Sequence, residues 1–137
     1  MLKKSRTSAR LLFIDDDPVA RNYLGAVLEG EPLELCAAEN GSQAIAQYIT
    51  FQPDIVLTDL YMPERDGIET IIELRRLKFA GPIIVVSAGT HHSNVDYSSL
   101  VVDLGANDFL AKPFRRAELL EKLFTNLNCR TALSQIS

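Results

Sequence analysis

Four short apolar runs each end in residues that carry chemistry. Leu11-Leu12-Phe13-Ile14 runs into Asp15 and Asp16, Ile55-Val56-Leu57-Thr58 into Asp59, Ile83-Ile84-Val85-Val86 into Ser87, and Phe109-Leu110-Ala111 into Lys112-Pro113. None of the four alternates with polar residues, which is the mark of strands buried on both faces. A fifth strand is expected over about Leu33–Ala38. Between the strands the period lengthens to that of helices. Asp17 and Pro18 open a first helix to about Glu29, the aspartate as N-cap and the proline at the first helical position, where its missing N–H costs nothing. Asn40-Gly41-Ser42 leads into a second helix with Ala44, Ile45, Tyr48 and Ile49 at helical spacing, stopped by Pro53. A third starts near Gly67 and carries Ile68, Ile71, Ile72, Leu74 and Leu77 as its core stripe up to Gly81-Pro82. The pattern is weakest over Val95–Leu104, where a fourth helix is expected, and a fifth runs from about Arg116 to Leu127.

Five strands alternating with five helices predict an α/β fold, a doubly wound parallel sheet covered on both faces. Right-handed crossovers and a single switch point favour the flavodoxin-like order 2-1-3-4-5. The domain is expected over residues 10–128, after a disordered lead-in (1–9) and before a short polar tail (129–137). Parallel sheets of this kind place their chemistry at the carboxyl ends of the strands. There, Asp15, Asp16, Asp59, Ser87 and Lys112 would share one crevice. Three clustered carboxylates raise one another's pKa unless a cation sits among them, and an all-oxygen set suits Mg²⁺. A metal, a lysine and a hydroxyl around one aspartate are what a phosphoryl group on that aspartate would need.

Composition narrows the function further. At 137 residues the chain is one domain, and 47% apolar with 23% charged residues is the mixture of an ordinary soluble globule. A net charge of −4 argues against direct nucleic-acid binding, which rests on a basic face. Cys36 and Cys129, far apart, form neither a disulfide framework nor a metal pattern. No run approaches the ~20 apolar residues of a membrane span, and no signal-peptide core follows the basic start, so a cytoplasmic chain is expected.

The motifs Phe13-Ile14-Asp15-Asp16-Asp17-Pro18, Asp59-x-x-Met62-Pro63-x-x-Asp66-Gly67, Ser87-Ala88 and Lys112-Pro113-Phe114, in that order, resemble those of response-regulator receiver domains of two-component signalling. The resemblance covers about residues 10–127. It implies that Asp59 accepts a phosphoryl group from a histidine kinase. Asp15 and Asp16 would bind Mg²⁺, with Asp59 and the backbone carbonyl of Tyr61 completing the protein ligands. Ser87 and Lys112 would each hold a phosphoryl oxygen, and small Ala88 would leave the group room. Ser87 and Phe109 would be the switch pair, the ring following the hydroxyl inward. The implied partners are a sensor histidine kinase or phosphotransfer protein and an unnamed output partner or domain, with room for a homodimer. Such a chain is a phosphoacceptor assisting its own phosphotransfer and dephosphorylation, not an enzyme with a separate substrate. Tyr61 and Gly89 would border the path of attacking water; a bulky ring and an absent side chain there imply a long-lived acyl phosphate.

Other residues have blander readings. Asp17 is expected to cap rather than bind metal, Met62-Pro63 and Gly67 to shape the loop and open the third helix, and His91-His92 to be solvated. Tyr23 and Tyr48 should be core or half-buried. Lys112-Pro113 should form a tight turn, cis in one reading, that aims the lysine inward. The segment from Gly89 to Ser99 is longer than the family's usual and poor in helix formers. Two rivals are weighed. Asp15-x-Asp17-x-Val19 also fits the nucleophile motif of haloacid-dehalogenase-type phosphatases, but only one helix follows Lys112 and there is no cap domain. A receiver fold that no longer phosphorylates would need none of Asp15, Asp16, Asp59, Ser87 and Lys112.

Overall fold

The computed structural model describes residues 8–60, 67–87, 103 and 105–136, with backbone alone over 129–136. Its elements run β1 (Ala9–Ile14), α1 (Pro18–Val27), β2 (Leu33–Ala38), α2 (Gly41–Phe51), β3 (Ile55–Asp59), α3 (Gly67–Arg76), β4 (Ile83–Ser87), β5 (Asp108–Ala111) and α4 (Arg116–Ile136). All strand pairs are parallel and the sheet order is β2-β1-β3-β4-β5, as the pattern predicts. Among the described residues four helices cover the sheet. The helix expected over 95–104 lies almost wholly outside them, as do Tyr61, Met62, Pro63, Asp66, Ala88, Gly89, His91 and His92.

Strand alternation sorts the core into two clusters. Leu11 and Phe13 of β1, Ile55 and Leu57 of β3, Ile84 and Val86 of β4 and Leu110 of β5 pack with Leu24, Leu28, Leu119 and Leu123 beneath α1 and α4. Leu12, Ile14, Val56, Ile83 and Val85 face the other way and pack with Ala44, Ile71, Leu74 and Phe79 beneath α2 and α3. Each fully buried leucine or isoleucine contributes about 1.5–3 kcal/mol relative to an exposed position.

Local chemistry explains the helix starts. Asp17 caps α1, its Oδ1 accepting from the Val19 N–H at 2.9 Å. Asn40 caps α2 through the Gln43 N–H, and the Gln43 side chain reaches back to the Glu39 N–H, a reciprocal pair like a capping box.

Several expectations need correction. β1 begins two residues earlier than its apolar run, because the Ala9 N–H bonds the Pro32 carbonyl and the Arg10 N–H the Asp54 carboxylate. α1 stops at Val27, short of Glu29, and α3 ends at Arg76. Ile49, Ile72 and Leu77, which helical spacing puts in the core stripes, are exposed, Ile49 by 61%. Each apolar stripe is wider than the face that the sheet covers; Ala44 and Ile45 fill that face on α2, and Thr70, Ile71 and Leu74 on α3. Tyr48 is half-buried, edge-on to Phe79, whereas Tyr23 is exposed. The last helix passes Leu127 and continues to Ile136, since neither glycine nor proline occurs between 128 and 136 to stop it.

Candidate functional site at the carboxyl ends of the strands

β1 pairs with β2 on one side and β3 on the other, so the chain's winding reverses beside β1 and a crevice opens at the carboxyl ends of β1 and β3. Asp15 stands one residue past β1 and Asp59 is the last residue of β3. In register, Asp59 lies opposite Val86, and Ser87 opposite Ala111, the residue before Lys112. The Lys112 N–H then bonds the Ser87 carbonyl at 3.0 Å, joining the two strand ends. The Lys112–Pro113 peptide is cis.

The side chains meet as the strand ends imply. One carboxylate oxygen from each of Asp15, Asp16 and Asp59 lies within 4.8 Å of the others. Lys112 reaches in from β5, its Nζ 2.9 Å from Asp15 Oδ2 and 3.5 Å from Asp59 Oδ2. Burial alone would lower the pKa of this ammonium. The hydrogen bond to Asp15 and the charges of Asp59 and Asp15 outweigh it, and the net shift is upward. The cation that three crowded carboxylates call for is therefore partly supplied by the chain itself.

The carboxylates are not equivalent. Asp15 is 1% exposed and held at every polar atom: its N–H bonds the Ala38 carbonyl, its Oδ1 accepts from the Asp17 N–H, its Oδ2 from Lys112, and its carbonyl from Arg21 Nη1 at 2.8 Å. Asp59 is buried in the strand but leaves 13% of its side chain open at the crevice. The Thr58 hydroxyl donates to its carbonyl at 2.9 Å. Asp16 is exposed. Ser87 is fully buried, and Phe109 is half-buried against the cluster beneath α2 and α3. The carbonyl of Tyr61 falls outside the described residues.

This donor set fits Mg²⁺. Octahedral oxygens at about 2.1 Å from the ion sit about 3 Å apart along an edge and about 4 Å across it. The 4.8 Å spread is close to the larger span, and a water in place of one direct carboxylate bridges the remainder.

Three features here were not foreseen from the sequence. Gly67 does more than open α3: a Cβ on it would lie 2.2 Å from the Asp59 carbonyl oxygen and 2.8 Å from the Leu60 Cα, so α3 starts in contact with the backbone at the end of β3. Asp17 caps α1 with its side chain and also orients Asp15 through its backbone N–H. Arg21 clamps the Asp15 carbonyl; a long cationic side chain one turn into a helix points back toward the helix start, which is the signal that could have found it.

Comparison with known proteins agrees with this geometry. The sequence is 36% identical to the chemotaxis protein CheY of Bacillus subtilis over 123 residues, 87% of this chain and 98% of that protein. It is 34% identical to the KDP operon transcriptional regulatory protein KdpE of Escherichia coli over 89% of this chain, but spans only about half (52%) of that relative's length. In structure, the signal receiver domain of a LuxO repressor protein from Vibrio parahaemolyticus matches with a TM-score of 0.86 at 22% identity, over 95% of this chain and 98% of that one. The BeF3-activated receiver domain of Klebsiella pneumoniae RstA matches with a TM-score of 0.77 at 27% identity, over 86% and 97%. The sequence matches the response regulator receiver domain family over residues 11–124, which takes in every strand end of the crevice, and the chain is a member of that family.

Proposed function

We propose that Asp59 is the phosphoacceptor of this receiver domain, taking a phosphoryl group from a phosphohistidine of a kinase or phosphotransfer protein. The observation that carries the reading is the placement of Lys112 between Asp15 and Asp59, beside an exposed Asp16. In the transfer, a carboxylate oxygen of Asp59 attacks phosphorus, the phosphorus–nitrogen bond to imidazole breaks, and the imidazole retains the electron pair and is protonated. The product is an acyl phosphate. Lys112 exchanges a carboxylate partner for a phosphoryl oxygen, and the Ser87 hydroxyl donates to another. Asp15, Asp16, Asp59 and the Tyr61 carbonyl would hold Mg²⁺, which when bound neutralises phosphoryl oxygens during in-line transfer.

The choice of Asp59 over Asp15 follows from access. Both carboxylate oxygens of Asp15 are engaged by donors and its side chain is buried, whereas Asp59 opens to the crevice. That same difference disfavours the phosphatase reading, in which Asp15 would be the nucleophile. The chain then acts as a cytoplasmic phosphoacceptor that signals through protein contacts and assists its own dephosphorylation. Among the described residues no helix is long and apolar enough to cross a membrane.

Incubation with acetyl phosphate and Mg²⁺, followed by mapping of the labelled residue, tests the assignment. Label on Asp59, abolished in a folded Asp59→Asn variant, is expected. Label on Asp15, or undiminished labelling of the variant, refutes it.

A further inference from the structure

We infer that Arg21 is a positioning residue for the metal site, acting through the Asp15–Asp16 peptide; the inference rests on the Mg²⁺ reading above. Asp15 and Asp59 are oriented by Lys112, and Asp15 also by the Asp17 N–H. Asp16 is exposed, and among the described residues no side chain or backbone N–H donates to its carboxylate. What aims Asp16 is the peptide joining it to Asp15. The preceding peptide is held by the hydrogen bond from the Asp15 N–H to the Ala38 carbonyl, which fixes where β1 ends. The carbonyl of the Asp15–Asp16 peptide itself accepts from Arg21 Nη1 at 2.8 Å. With the peptides on both sides of the Asp15 Cα held, the plane from which the Asp16 side chain departs is constrained.

Arg21 is suited to this role. It projects from α1, whose start is itself fixed by the Asp17 cap, and its side chain is only 22% exposed. Its Nη2 stands 4.0 Å from Glu39 Oε2, so part of its charge is balanced beside β2. A cation near a metal site would by charge alone weaken Mg²⁺ binding. A group that pre-orients a ligand strengthens it. The two effects have opposite signs, so removing Arg21 separates them.

The test compares wild type, Arg21→Met and Arg21→Lys, with Arg75→Met as a reference. Arg75 makes several hydrogen bonds to backbone carbonyls at the opposite end of the sheet, so its loss weakens the fold without touching the crevice. Mg²⁺ affinity is measured by calorimetry with MgCl₂, and order at the Asp16 amide by ¹⁵N relaxation in metal-free buffer. Arg21→Met is expected to weaken Mg²⁺ binding about tenfold and lower the Asp16 order parameter. Arg21→Lys, keeping the charge and a donor, should recover most of both. Arg75→Met should change neither. If Arg21→Met does not fold, Arg21→Gln carries the same comparison. Unchanged or tighter Mg²⁺ binding by a folded Arg21→Met, or an equal loss in Arg75→Met, overturns the inference. If wild type binds no Mg²⁺ the metal reading fails instead, and an unchanged Asp16 order parameter then overturns the role of Arg21 separately.

Discussion

Replacing Lys112 by methionine removes the ammonium but keeps an unbranched chain in the same space. Without metal, the variant leaves Asp15 Oδ2 buried without its 2.9 Å partner and removes an ammonium 3.5 Å from Asp59. Breaking a buried pair from one side costs about 3–5 kcal/mol, because the other charge is left uncompensated. Two features reduce this. Lys112 is 26% exposed, and Asp15 keeps the Asp17 N–H on Oδ1. A loss of about 2–3 kcal/mol at neutral pH is expected, or about 8–12 °C in Tm for a domain of this size. Mg²⁺ and the ammonium neutralise the same carboxylates, so the variant should bind Mg²⁺ more tightly, and saturating MgCl₂ should return more stability to it than to wild type. The pH dependence has a definite sign. The folded pKa of Lys112 is raised, so its contribution is complete below the unfolded lysine value of about 10.4 and is lost only as pH rises through the higher folded value. The gap between the two proteins should thus hold across neutral pH and begin to close only above about pH 10.4. Urea unfolding followed by far-ultraviolet circular dichroism measures all of this. A metal-free loss under about 0.5 kcal/mol, or a gap indifferent to Mg²⁺, would refute the shared-cation argument.

Gly67→Ala drives a methyl into the Asp59 carbonyl, a backbone clash that cannot be relieved by a rotamer, and should destabilise by about 3 kcal/mol or more and slow labelling by acetyl phosphate. Gly25→Ala, at an exposed position in α1 with nothing within 4 Å, should instead stabilise by up to about 1 kcal/mol; equal urea midpoints for the two variants would contradict the close-approach reading. For Asp108, burial opposes ionisation, but hydrogen bonds from Lys122, the Phe109 N–H and Asn126 and the charge of Lys122 outweigh it and lower its pKa. Its contribution is therefore present above the unfolded value of about 3.9 and lost as pH falls through the folded one. Because the pair is about a third exposed, Lys122→Met should cost under about 1 kcal/mol at pH 7 and nothing near pH 2. Finally, if Tyr61 and Gly89 shield the acyl phosphate, phosphorylated wild type should decay more slowly than a Tyr61→Asn/Gly89→Glu double variant; equal decay in Mg²⁺ counts against that role.

The strands were legible because a buried parallel strand has a simple signature, a short unbroken apolar run, and β3 and β4 start with theirs and end on the polar residue that follows. The crevice followed from topology, since parallel order collects residues far apart in sequence at one edge. Helix faces were less legible. A row of isoleucines and leucines gives the direction of a stripe but not its width, which depends on how much of the helix the sheet covers; hence Ile72 points to solvent while Thr70 is buried. The end of α4 is hidden in the sequence because the polar residues of its last turns have the composition of a tail. Contacts such as Arg21 to the Asp15 carbonyl pair a side chain with backbone, and apolar patterning does not record them.

Strand parity gives the site a further logic. In β1, β3 and β5 the residues two before Asp15, Asp59 and Lys112 are Phe13, Leu57 and Leu110, all in the cluster beneath α1 and α4. The alternation carries the two carboxylates and the lysine toward that same side, in keeping with their mutual contacts. Ser87 follows the other parity. Two residues before it stands Val85, which lies in the cluster beneath α2 and α3 and pairs in register with Phe109. The lysine therefore approaches Asp59 from one face of the sheet, while the serine shares the opposite face with the aromatic ring. A phosphoryl group on Asp59, bringing about −1.5 to −2 units of charge, would draw on donors from both sides. On the lysine side the change is an exchange of partners within a preformed ion cluster. On the serine side any shift of Ser87 toward the phosphate would vacate space on the face where Phe109 is already half-buried. If Asp59 is the phosphoacceptor, this asymmetry would put charge neutralisation on one face of the sheet and the packing change on the other.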